Sequence, residues 1–229
     1  MKKIIAIGLI ATMGLSLAGC AFGSKLSDKK IEKFLLEEYE AEEEDVDDVI
    51  EWIEEDEFKK FREPVYFVTD DDEFEDAFGD NIDIADIVAE PSKIVESKNV
   101  IMINDGKKES GVIFMYINFK DEKAAANFLE DTVDYWDDEF CDECKNWAIA
   151  DEAENELFGM FENYNETLTV SMYQEKNMVA CILEINDDDF TSEFAEYFKL
   201  TDPVEDLKDG MKDAKKDKDK DKDDDEDDD

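Results

Sequence analysis

Apolar positions along the chain follow first a helical period, then an alternating one, then mix the two. After Ser27, read as a helix cap, Ile31, Phe34, Leu35 and Tyr39 fall at helical spacing, and Val46, Val49, Ile50 and Ile53 repeat the pattern. Pro64 interrupts it. Val65 to Val68 reads as a short strand, followed by three aspartates and a helical turn carrying Phe74 and Phe78, stopped by Gly79. Ile84 to Val88 is a further helical patch before Pro91. Val100–Ile103 and Val112–Phe119 are apolar on two faces and flank Asn104-Asp105-Gly106, which predicts a hairpin of central strands. Asp121 then caps the strongest helical pattern, with Phe128, Leu129, Val133, Trp136 and Phe140 on one stripe.

Three strand-like runs follow, Leu157–Phe161, Thr167–Tyr173 and Met178–Ile185, before a last helix from about Asp189 to Lys199 and a stop at Pro203. In the middle run Thr167, Thr169, Ser171 and Tyr173 alternate with Leu168, Val170 and Met172, which predicts a strand with one face in water and one in the core. The pattern predicts one α+β domain over residues 27–202, a mostly antiparallel sheet with helices mainly on one face. Aspartates recur at three junctions, in Val68-Thr69-Asp70-Asp71, Asn118-Phe119-Lys120-Asp121 and Ile185-Asn186-Asp187-Asp188. A cation site at one sheet edge is one reading. Helix capping, at about 0.5–2 kcal/mol per cap, is the preferred one.

The first twenty residues carry a different message. Lys2 and Lys3 precede an apolar stretch, Ile4 to Leu17, of secretory length and too short to span a bilayer comfortably. It ends in Leu17-Ala18-Gly19-Cys20, which resembles the lipobox of bacterial lipoproteins, where signal peptidase II cleaves before a diacylglyceryl cysteine. The resemblance covers residues 1–20 only. It implies a signal peptide at 1–19, lipidation such as palmitate on Cys20, a tether at 20–26, and an address on the extracytoplasmic face of the cell membrane. Two or three acyl chains make such attachment durable where one would bind reversibly.

Charge narrows the partners. The chain has 68 acidic and 25 basic residues, no histidine and a net charge of −43. Nucleic acid would be repelled. Without imidazole, the usual general base, the usual metal ligand and every histidine triad are absent. Removing residues 1–19 takes away Lys2 and Lys3 and leaves a net −45, so the expectation is a body held at an anionic leaflet by lipid alone. Arg62 is the sole arginine, which argues against phosphorylated ligands. Residues 203–229 read as a disordered, acidic Lys/Asp-rich tail in which, from Lys212, Ala214 is the only apolar residue. No calcium loop occurs there, so divalent cations would bind weakly.

Three cysteines remain after Cys20. Cys141-Asp142-Glu143-Cys144 matches C-x-x-C but lies late in an acidic helix, where a thiolate is disfavoured, and one such pair with one further cysteine makes a poor zinc site. Cys181 alternates with Val179, Leu183 and Ile185 on the inward face of its strand, so the expectation is a structural disulfide from Cys181 to Cys144, or alternatively Cys141.

No catalytic, metal or cofactor motif is present, and acidic residues are too abundant for carboxylate pairs to carry information. Trp52, Trp136 and Trp147 could line a groove for sugar or peptide, but two lie on or near an apolar stripe and read as core. The leading reading is a non-catalytic domain that binds a protein, peptide or cell-wall partner. A carboxylate-dependent hydrolase and a cation-buffering surface protein are the alternatives, and the first of these requires a cleft with two close acids.

Overall fold

The computed structural model describes residues 25–79, 87–104, 110–141, 144–153, 155–163, 166–186 and 189–223. Eight strands form one sheet: β1 (Glu42–Glu43), β2 (Val65–Thr69), β3 (Ile94–Asn104), β4 (Ser110–Phe119), β5 (Asn146–Ala153), β6 (Glu156–Asn163), β7 (Glu166–Glu175) and β8 (Met178–Ile185). Their order across the sheet is β1-β2-β3-β4-β8-β7-β6-β5. Among the described strands only the β1–β2 pairing is parallel. The remainder is two antiparallel meanders, β2 to β4 and β5 to β8, fused where β4 pairs β8, with Met115 opposite Cys181. The α+β class, the antiparallel sheet and the central position of β3 and β4 are those the pattern predicts.

Among the described residues six α-helices accompany the sheet: α1 (Asp28–Lys33), α2 (Val46–Glu54), α3 (Asp71–Phe78), α4 (Glu122–Tyr135), α5 (Asp189–Phe198) and α6 (Val204–Asp223). α1 and α4 each continue into a π turn, Phe34–Glu38 and Trp136–Phe140. The helices cover both faces of the sheet, whereas the pattern suggests mainly one. On the first face Val49 and Ile53 of α2, Phe74 and Phe78 of α3, and Phe128, Leu129 and Trp136 from α4 pack with Phe67, Met115, Cys181 and Phe161. On the second, Ile31, Phe34 and Leu35 join Phe190, Phe194 and Phe198 of α5 and Leu207 and Met211 of α6 over Phe114, Phe158 and Ile182. At about 1.5–3 kcal/mol per buried large apolar side chain, neither layer is dispensable.

The second layer explains two departures from expectation. Thr169, Ser171 and Tyr173 are at most 1% exposed, because α5 covers the face of β7 that alternation assigned to water. The body also extends past residue 202. Val204, Leu207 and Met211 are buried and α6 lies along β5 and β6. Their i, i+3, i+7 spacing is an apolar stripe masked by an acidic composition. Gly210 permits the close approach, since a Cβ there would sit 3.0 Å from the Cβ of Ala148. Lys215 closes this segment with a 2.7 Å ion pair to Glu162 of β6, and helical backbone runs on to Asp223.

Aspartate capping accounts for two of the three strand–helix junctions. Asp70 accepts the Glu73 N–H at 3.0 Å while Glu73 accepts the Asp70 N–H at 2.9 Å, a complete capping box for α3. Asp121 accepts the Ala124 N–H at 2.9 Å to cap α4. Asp187 and Asp188 lie outside the described residues. Ser27 stands at the N-cap of α1 with extended backbone, but its side chain makes no cap bond.

Candidate functional site

The cysteines do not form the expected cross-link. Cys141, Cys144 and Cys181 are all thiols. Cys181 is wholly buried in β8, between Met115 of β4 and Met172 of β7, and burial pushes its thiol far above its ordinary pKa. Cys141 and Cys144 flank the end of α4, two residues short of the start of β5 in the case of Cys144. β5 is three strands from β8, a lateral separation of about 14 Å. A disulfide needs Cα atoms within about 7 Å. All three sulfurs belong to the first-face core, but strand order keeps Cys181 from the other two.

The tryptophans divide as the stripe suggests. Trp136 is fully buried and donates its Nε1–H to the Ile87 carbonyl at 2.7 Å. Trp147 packs at the edge of the same core. Trp52 is half-buried, set edge-on to Phe61 and covered by the Lys60 ammonium 4.6 Å from its ring centre. The three do not share a groove.

Two buried polar groups escaped the sequence analysis. Glu184 of β8 is 0% exposed, the one wholly buried acid among the described residues. Its Oε1 accepts the Phe190 N–H at 3.0 Å, and its Oε2 accepts the Thr191 N–H at 3.1 Å and the Thr191 hydroxyl. The carboxylate therefore meets the donors and positive end of α5, replacing an aspartate cap with a glutamate reaching out of the preceding strand. On the other face Asn99 of β3 donates to the Thr69 hydroxyl at 3.1 Å and accepts from the Ser97 hydroxyl at 2.7 Å. Both groups are consumed by structural hydrogen bonds. Composition could not have singled out Glu184 among so many acids; its place on an otherwise apolar strand was the available signal.

Among the described residues no group of three or more Cys, Asp or Glu side chains is arranged to hold a metal ion. Lys98, 9% exposed, pairs with Glu96 at 2.9 Å. The hydrolase alternative requires two close acids in a cleft, and the arrangement around Glu184 gives it no support.

What remains is the end of the body that the N-terminal segment joins. Leu26 is 1% exposed, and its N–H donates to the Glu175 carboxylate at 2.7 Å, just before the β7–β8 turn. Lys25 Nζ donates to the carbonyl of Lys199, past the end of α5, at 3.1 Å. The chain is thus fixed from Lys25 onward. Cys20 itself lies outside the described residues. Five residues of extended chain reach at most about 18 Å, so Cys20 stays within that distance of Lys25.

No protein-family model matches this chain, and no curated protein matches it. Among the described residues no helix is long and apolar enough to cross a membrane. Among solved structures, the chain is similar to the extracellular domain of PknH from Mycobacterium tuberculosis, at 11% identity and a TM-score of 0.37, over 59% of this chain and 79% of that one.

Proposed function

We propose that this chain is a bacterial lipoprotein acylated on Cys20, whose body is displayed on the extracytoplasmic face of the membrane as a non-catalytic domain for a protein, peptide or cell-wall partner. The observation that carries the reading is the ordered sequence of charged start, apolar run, small residues and cysteine over residues 1–20. The fixed entry at Lys25 and Leu26 supports it, because a short segment from Cys20 then holds a folded body close to its anchor. The buried polar groups support the non-catalytic part, since Glu184 and Asn99 spend their hydrogen-bonding capacity on the fold.

Mass spectrometry of the chain purified from bacterial membranes tests the anchor. A mature chain beginning at Cys20 and carrying diacylglyceryl is the expected result, with Cys20→Ala released from the membrane. An unmodified cysteine in a correctly cleaved chain overturns the reading. Crosslinking on intact cells followed by pull-down identifies the partner.

A further inference from the structure

We infer that Cys141 and Cys144 are a disulfide-forming pair, a redox clasp that joins the end of α4 to the start of β5 by exchange with a disulfide-bearing oxidant. The inference goes beyond the binding role proposed above and does not depend on it. The spacing of the pair comes from the backbone. The Cys144 N–H donates to the Cys141 carbonyl at 3.4 Å, an i to i+3 bond of the kind that closes a turn with its end Cα atoms less than about 7 Å apart. A disulfide bridges Cα atoms about 4.4–6.8 Å apart, so the two cysteines stand in the range that closure requires.

Groups outside the pair hold the chain on both sides of it. Cys141, 7% exposed, follows the π turn Trp136–Phe140. Trp136 and Phe140 of that turn each pack edge-to-face on Phe161 of β6, with ring centres 4.9 and 4.8 Å away. After Cys144, Lys145 donates its N–H to the Glu162 carbonyl at 2.8 Å, and the buried Asn146 donates its side-chain amide to the Glu162 carboxylate at 3.0 Å. Both cysteines belong to the first-face core. The entropy of bringing them together is therefore lost on folding and not on closure. Cys181, wholly buried and three strands away, cannot compete for either partner. With Cys20 acylated, the odd number of thiols resolves into one adjacent pair and one core thiol. An extracytoplasmic address is also one where a disulfide, once formed, persists.

Unequal access orders the exchange, since Cys144 is partly exposed and Cys141 is buried. The Cys144 thiol gives its proton to water, and its sulfur attacks the oxidant's disulfide. That S–S bond breaks, a mixed disulfide forms on Cys144, and the first oxidant thiolate leaves. Cys141, its proton likewise lost, then attacks the Cys144 sulfur and expels the second thiolate. Both departing thiolates take up protons. Two protein thiols are thus oxidised to one disulfide while one oxidant disulfide is reduced to two thiols.

Glutathione and its disulfide are the probe, and the protein is the mature chain with Cys20→Ser, which keeps the anchor sulfur out of the reaction. Reduced protein is equilibrated with the couple in buffer and in urea, quenched with acid, alkylated and digested. Trypsin releases both cysteines on one peptide, Ala124 to Lys145, and Cys181 on another, Asn177 to Lys199. From the native protein the first peptide is expected to be lighter by two hydrogens and to resist alkylation, while Cys181 is alkylated. The equilibrium constant for closure should be larger in buffer than in urea, on the order of tenfold, because the fold holds the pair together. By the same linkage the oxidised form should unfold at a higher urea midpoint than the reduced form. In the native protein Cys141→Ser should trap glutathione on Cys144, whereas Cys144→Ser should leave Cys141 unmodified. Closure no more favourable in buffer than in urea, an unchanged or lower midpoint, glutathione on both cysteines without closure, equal trapping in the two variants, or a link to Cys181 overturns the inference.

Discussion

Replacing Glu184 by glutamine keeps the side-chain volume and removes its charge and one acceptor oxygen. In the folded protein the carboxylate receives two backbone N–H groups and one hydroxyl, all from the first turn of α5. A hydrogen bond to a charged group contributes about 1.5–3 kcal/mol, and a negative charge at a partly buried helix N-terminus up to about 2 kcal/mol more. Desolvating the carboxylate opposes these gains. Glutamine can satisfy one N–H through its carbonyl, but its amide group then points two donors at donors. The expected loss is about 2–4 kcal/mol, or roughly 5–12 °C in Tm for a body of this size. Urea unfolding followed by tryptophan fluorescence measures it, because Trp136 sits in the core. Thr191→Val removes only the hydroxyl donor and should cost less, and the double variant should cost less than the two singles together because they share one network. Unchanged or increased stability in Glu184→Gln would refute the claim that this charge holds α5 to the sheet.

Four further outcomes follow from the packing. Gly159→Ala should destabilise by about 1–3 kcal/mol, because a Cβ there would lie 2.5 Å from the Phe161 ring and 2.9 Å from the Trp136 ring, and the latter is held by its bond to Ile87; thermal unfolding checks it. Leu207→Ala should cost about 2–4 kcal/mol in urea, and truncation after Asp202 more, whereas truncation after Lys215 should cost little. Alkylating reduced, unfolded mature protein should label Cys141, Cys144 and Cys181, while in the native state Cys181 should stay unlabelled. Burial raises the pKa of Tyr66, Tyr116 and Tyr173 above that of an unfolded tyrosine, about 10. Their contribution is therefore complete below about pH 10 and declines above it, as the unfolded chain releases protons that the native state retains, so urea midpoints should fall between pH 9 and 11, both marks being about one unit either side of that value.

The regular segments were legible because their signals are local. Met178–Ile185 is the strand drawn from its apolar run, and Asp121 caps the helix assigned to it. What was not legible depends on what covers what. Nothing in Thr169, Ser171 and Tyr173 says that α5 will bury them, so their alternation looks like a wet face. β5 was missed because the short apolar run Trp147–Ala150 passes directly into acids, and β1 because two glutamates carry no strand pattern. α6 was hidden because three apolar residues at helical spacing are diluted by aspartate and lysine. The disulfide failed for a topological reason: facing inward is a property of each strand, but adjacency is a property of strand order. Glu184 was invisible for the opposite reason, one meaningful acid among many.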